Sequence, residues 1–249
     1  FRMAIPPGAA LYVQQRESGI TLLSPSGAQG NTDDGDGLSS TGWSVRSHAS
    51  STAQCVWPCS RTLATALLDA PRIADCHGLT VLELGAGCGV PGLAAWRAGA
   101  TAVWLTELPE NVARLREITQ RHGSPASVRV EALDWTQPLP QAIAQTRFDL
   151  VLGADLIFWP SLFDALLSVL EALRDAPRVL LATSSSNWLA QGSDFELRAV
   201  SRGWKLWEHP VAATDASFDV YDFSPRLLEM ARVPNESGLR PPPVSSLRF

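Results

Sequence analysis

The run Leu79-Thr80-Val81-Leu82-Glu83-Leu84 leads directly into Gly85-Ala86-Gly87-Cys88-Gly89-Val90-Pro91-Gly92, and the apolar stretch from Leu93 follows. Six mostly aliphatic residues predict a buried strand, and Pro91 just past the glycines predicts the first turn of a helix. Glycines at such a strand-to-helix turn let the backbone approach a ligand closely and leave helical N–H groups facing it. A dinucleotide fingerprint needs its third glycine three positions beyond Gly87. Val90 stands there, and the third glycine comes early, at Gly89. Taken alone, the turn fits a ligand cradle or merely a tight connection.

Outward from this turn the chain alternates. Strands are expected at 79–84, 102–106, 127–132, 148–154, 178–183, 204–209 and 218–223. Helices are expected at 58–70, 90–98, 109–122, 139–145, 160–174 and 194–202. Alternation of this kind specifies an α/β fold with a Rossmann-like, doubly wound, mostly parallel seven-stranded sheet. Only Pro210 to Ser217 separates the last two strands, too few residues for a parallel crossover, so the final strand should be antiparallel.

Residues 1–23 are read as a small N-terminal β appendage, with a hairpin over Ala10 to Leu23. Residues 24–54 are read as a disordered insertion, because 24–53 carry thirteen Gly or Ser with almost no aliphatic side chains. Within it, Asp34-Gly35-Asp36-Gly37 hints at a calcium loop. Aligning Gly37 as the turn glycine, however, puts Thr32 and Trp43 at the terminal ligand positions. The α/β domain is assigned to 55–223, and 224–249, with Pro225, Pro234 and Pro241 to Pro243, to a proline-rich tail.

The 249 residues carry 20 basic and 25 acidic side chains, a net charge of -5, which argues against a nucleic-acid surface. Lys205 is the only lysine, so no Walker phosphate loop can be written. Cys55, Cys59, Cys76 and Cys88 lack Cys-x-x-Cys spacing, and the four histidines lie far apart, so no metal site is expected. Arg114, Arg116, Arg121 and His122 surround a helix whose Leu115 and Ile118 point inward, and read as a solvated face. The uncharged run Leu84 to Trp96 is too short and too glycine-rich to span a bilayer, and the start shows no secretory segment. A monomeric protein of the cytoplasm, with the nucleus as a second compartment, is expected.

Three further strands end in an acid: Glu107, Asp134 and Asp155. In an open parallel sheet these ends share one edge, where ligands bind. Glu107 offers two acceptor oxygens to a pair of ribose hydroxyls. Asp134 suits an exocyclic adenine amine, with Trp135 as an apolar wall, or alternatively caps the turn before Pro138.

These segments, Val81 to Gly89, Leu105-Thr106-Glu107-Leu108-Pro109, Leu133-Asp134-Trp135 and Gly153 to Phe158, resemble the family 16 protein-lysine methyltransferases. Val56-Trp57-Pro58 is similar to that family's entry to its first helix. The resemblance implies a class I methyltransferase fold and S-adenosyl-L-methionine as cofactor. It implies that Gly85, Ala86, Gly87 and Gly89 line the methionine moiety, with Glu83 positioning its amine. Glu107 would serve the ribose and Asp134 the adenine, with Trp57, Trp135 and Ala154 completing the cofactor set. Asp155-Leu156-Ile157-Phe158 resembles the Asp-x-x-Tyr or Asp-x-x-Phe motif at the substrate mouth, making Asp155 and Phe158 the catalytic candidates. Phe158 replaces the commoner tyrosine, which removes a hydroxyl but keeps an aromatic wall for a cation.

The expected activity is N-methylation of a lysine ε-amine on a partner protein. No Asn-Pro-Pro-Tyr sequence follows Asp155, which disfavours methylation of planar amide or base nitrogens. A small-molecule N-methyltransferase and a catalytically silent cofactor-binding protein are the rival readings.

Overall fold

The computed structural model describes residues 2–3, 11–16, 19–23, 53, 56–122, 126–175, 177–210 and 225–232. Near the N-terminus, β1 (Arg2–Met3), β2 (Leu11–Arg16) and β3 (Gly19–Leu23) form a three-stranded antiparallel sheet. Its β2–β3 pairing, from Tyr12 opposite Leu23 to Arg16 opposite Gly19, is the expected hairpin.

The main sheet contains β4 (Thr80–Leu84), β5 (Ala102–Glu107), β6 (Val128–Ala132), β7 (Leu150–Ala154), β8 (Arg178–Ser184), β9 (Trp204–His209) and β10 (Pro225–Arg232). Their order is β6-β5-β4-β7-β8-β10-β9. Strands β4 to β8 pair in parallel, and β10 runs antiparallel to both β8 and β9. From β4 the chain winds outward through β5 and β6, then returns to β7 on the other side. The switch point between β4 and β7 is where such sheets open a ligand crevice.

Helices α1 (Pro58–Asp69), α2 (Val90–Arg97), α3 (Pro109–Arg121), α4 (Gln141–Gln145), α5 (Phe163–Ala172), α6 (Ser185–Asn187) and α7 (Ser193–Ser201) fill the connections. Prolines in the first turns of α1, α2 and α3 supply a preset φ where no intrahelical N–H bond is needed. The helix expected from residue 160 begins at Phe163, because Pro160–Leu162 form a tighter 3₁₀ turn.

Side chains alternate across the sheet, so each strand feeds two cores. Leu82, Val151, Val179, Leu181, Leu228 and Met230 pack with Phe163 and Leu167 of α5 and Phe195 of α7. On the opposite face Val81, Leu105, Leu152, Leu180 and Leu227 pack with Cys59 and Leu63 of α1 and Leu115 of α3. The arginines of α3 turn back on the protein: Arg114 Nη1 donates to Ala53 O at 2.9 Å and Arg116 Nη2 to Val130 O at 3.1 Å.

The last strand corrects the sequence reading. Residues 218–223 lie outside the described residues, and 225–232, assigned above to the tail, form a strand inside the sheet. Pro225 occupies the first strand position, opposite Ser184, where a missing N–H is tolerated. The domain therefore extends past 223 to at least Arg232. The expected insertion, apart from Ala53, and residues 233–249 lie outside the described residues.

Leu227→Ala should cost about 2–5 kcal/mol in urea unfolding, because Leu227 is fully buried. A tail residue would change stability by less than about 0.5 kcal/mol.

Candidate active site

Gly85, Gly87 and Gly89 take φ values of +57°, +53° and +70°, the left-handed region that disfavours side chains. The turn they make is clamped to the neighbouring strand, since Ala86 N donates to Thr106 O at 2.9 Å and Gly89 N to Ala86 O at 2.7 Å. A Cβ on Gly85 would lie 2.9 Å from Leu156 Cδ2 and 3.5 Å from the Trp135 ring. Trp135 lies against the turn, and Leu156 wedges beneath it. Ala53 lies against Gly87 and the side chains of Leu105 and Leu115 against Gly89, while Gly85 and Gly87 stay partly exposed.

Glu107 closes the end of β5. Its carboxylate accepts from Leu108 N, and also from Gly87 N and the Asn111 side chain. Burial raises its pKa above the ordinary value, and these donors pull it back. A carboxylate has about four acceptor sites, so with three donors in place capacity for one ribose hydroxyl remains.

Glu83 is buried beneath the turn. It is 1% exposed, and its Oε2 accepts from Gly92 N at 2.8 Å, which holds α2 onto β4. Gly92 is required there, because a Cβ would run into Glu83 and Leu105. Burial pushes the carboxyl up to about 8 against the opposing Gly92 bond. Glu83 supports the turn from below, and its contact is with protein backbone.

Asp134 Oδ1 accepts from Thr136 N at 2.9 Å and Thr136 Oγ1 at 2.7 Å, which lowers its pKa. The turn-capping alternative is therefore realised. Trp57 is the N-cap of α1, and its carbonyl accepts from Ser60 N at 3.1 Å. Ala154 ends β7, opposite Ala182 of β8.

Asp155 is left-handed at φ 56°, unusual for a residue other than glycine. Its amide donates to Ala182 O at 2.8 Å, and its Oδ1 accepts from Ser184 N at 3.3 Å. Oδ2 is buried and accepts no hydrogen bond. Burial raises its pKa, while the Cys59 thiol and the Ser184 amide lower it. Phe158 is half-buried, with its ring 4.8 Å from that of Trp159, which is 57% exposed at the rim. Among the described residues, no group of three or more His, Cys, Asp or Glu is placed to hold a metal.

The structure adds Thr106, Asn111, Leu156, Ser184 and Cys59 to the site. Asn111 sits four positions after Glu107, a spacing that could have flagged it. Thr106 and Leu156 lie within the motifs quoted above, whereas Ser184 and Cys59 come from segments distant in the chain and left no local signal.

The family profile described as lysine methyltransferase matches residues 43–195. The chain belongs to the lysine methyltransferase family. This family member is similar to the human histone-arginine methyltransferase METTL23, 29% identical over 154 residues, covering 61% of this chain and 78% of that protein. It covers 58% of the mouse counterpart. The zebrafish protein N-lysine methyltransferase METTL21A is 33% identical over 109 residues, 43% of this chain and 50% of that one. The fold matches the magnesium protoporphyrin IX methyltransferase of Synechocystis PCC 6803 with bound SAM, with TM-score 0.53 and 18% identity. That match covers 70% of this chain and 79% of the other. This lysine methyltransferase family member uses S-adenosylmethionine, and its left-handed glycine turn and the Glu107 carboxylate fit that molecule.

Gly85→Ala should weaken S-adenosylhomocysteine binding about tenfold or more by calorimetry, because both the strain and the Leu156 contact oppose a methyl group. Between pH 4.5 and about 8 the folded chain keeps a proton on Glu83 that the unfolded chain has lost. Stability from this group therefore falls as pH rises through that window. Glu83→Gln should flatten the fall, as measured by urea unfolding at several pH values within it.

Proposed function

We propose that this chain methylates the ε-amine of a lysine on a partner protein, with Asp155 and Phe158 at the acceptor mouth. The observation that carries this reading is the orphan Asp155 Oδ2, a buried carboxylate oxygen with no donor, beside the glycine turn and an aromatic pair. An unsatisfied buried acceptor is costly, and an entering ammonium would relieve it. Leu156 joins the two halves of the site, since it touches the glycine turn while its neighbour Asp155 faces the mouth.

When bound, S-adenosylmethionine supplies an electrophilic sulfonium methyl. The protein must hold the acceptor nitrogen in line with it and allow that nitrogen to shed its proton. A free lysine has a pKa of about 10.4, so deprotonation at neutral pH costs roughly 4–5 kcal/mol. Phe158 and Trp159 exclude water from the amine and lower that cost, and their faces can enclose the cation as it arrives. Asp155 orients the nitrogen, and water takes the proton. The buried thiols Cys59 and Cys76, neither in a disulfide, support a reducing compartment, cytoplasm or nucleus.

The test is transfer of labelled methyl from S-adenosylmethionine to proteins of a cell extract, followed by hydrolysis and amino-acid analysis. Methyl-lysine is the expected product. Methyl-arginine, the chemistry in the name of the human relative, would replace the acceptor assignment. Label confined to small molecules would overturn it. Asp155→Ala should lower transfer about 100-fold with cofactor affinity unchanged. Full activity in a folded Asp155→Ala protein would remove Asp155 from the mechanism.

A further inference from the structure

We propose that Arg114 of α3 is a positioning residue for the cofactor: its guanidinium holds the Ala53 carbonyl, and Ala53 in turn walls the S-adenosylmethionine site beside Gly87. Arg114 Nη1 donates to Ala53 O at 2.9 Å, across 61 residues of chain. Cys88, inside the glycine turn, donates its thiol to the same oxygen at 3.4 Å. A carbonyl oxygen has two lone pairs, and these two donors occupy both. Ala53 is buried, so its carbonyl has to find its partners within the protein. The proposal needs the cofactor site alone and is independent of which acceptor is methylated.

This clip sets where Ala53 lies on the turn. Its oxygen, Cα and carbonyl carbon stand 3.5, 3.6 and 3.9 Å from the place a Cβ of Gly87 would take, which is ordinary contact distance. Gly87 has no Cβ and stays partly exposed, so the Ala53 backbone forms one side of the open space at this bend. Three residues on, Val56 is buried with Cys88 of the turn, Leu68 of α1, Leu93 of α2 and Ile118 of α3. Apolar contact of that kind is non-directional and leaves Ala53 free to slide. A charge-assisted hydrogen bond is directional and fixes it. Arg114 is thus drawn inward from a helix face on which Ala113 and Glu117 are exposed. A solvated arginine would have no need to reach a residue that touches the glycine turn.

The experiment is calorimetry of S-adenosylhomocysteine binding to the full chain, beside urea unfolding of the same proteins. Arg114→Met keeps the apolar stem and removes the donors, and should bind about five- to tenfold more weakly, part of what a charge-assisted hydrogen bond contributes. Arg114→Lys should return the affinity to within about twofold of the unaltered chain, because a single carbonyl needs one donor rather than a planar fork. Should methionine loosen α3, Arg114→Gln, whose side chain is two atoms shorter and stops before Ala53, should show the same loss. In labelled-methyl transfer to extract proteins, Arg114→Met should raise the KM for S-adenosylmethionine by the same factor. The rate at saturating cofactor should stay within about twofold. An arginine that served only the fold would lower the urea midpoint and leave both the affinity and the KM as they were. That result would overturn the proposal, as would a fall in the saturated rate with KM intact, or a lysine variant that binds no better than methionine.

Discussion

A carboxyl group shut away from water holds the ligand-binding turn in place. Glu83 ends its strand under the glycines and reaches nine residues ahead to the amide of Gly92, pinning α2 against β4. Its own carbonyl takes the Thr106 hydroxyl at 2.7 Å, and Thr106 O takes the Ala86 amide, so β4, its turn and β5 are locked together. A protonated acid suits this position, since an ionised one would stand uncompensated in an apolar layer. The three left-handed glycines keep their conformation because this lock, rather than their own preference, determines the path of the backbone.

Leu156 extends the same logic toward the acceptor. It is buried against Gly85 on one side and Gly153 on the other, and only residues without a side chain could admit it at both places. The spacing between the glycine turn and the proposed Asp155–Phe158 mouth is thereby set by one aliphatic side chain in a close-packed layer. Cores of this density shift in discrete steps rather than by degrees. Methyl transfer depends on such fixed spacing, since a misplacement of about 1 Å can cost 100-fold in rate.

Much of the site could be read from residue order. The glycine turn, Glu107, Trp135 and the Asp155–Phe158 segment all fall at the carboxyl edge of β4 to β7, because strand ends in a parallel sheet share one edge. Two of the acids make contacts that residue order did not show. Asp134 lies two residues before Thr136 and closes a turn with it. Glu83 is an inward-facing strand residue, and sequence alone does not show whether such a carboxyl meets a ligand or a buried amide. Cys59 and Ser184 were out of reach, since their partner Asp155 lies 96 and 29 residues away along the chain.

By itself the sequence determined the alternation of strands and helices, the parallel arrangement of the first five main-sheet strands and the place of the ligand turn. Those features follow from local periodicity and from the glycine and proline content of short segments. Only the tertiary structure decided that Pro225–Arg232 slides between β8 and β9, burying Leu227, Leu228 and Met230 on both faces of the sheet. That segment becomes a strand through its neighbours: two unpaired edges offer backbone partners along its length, and two cores offer room for its side chains. Neither is encoded within the eight residues themselves.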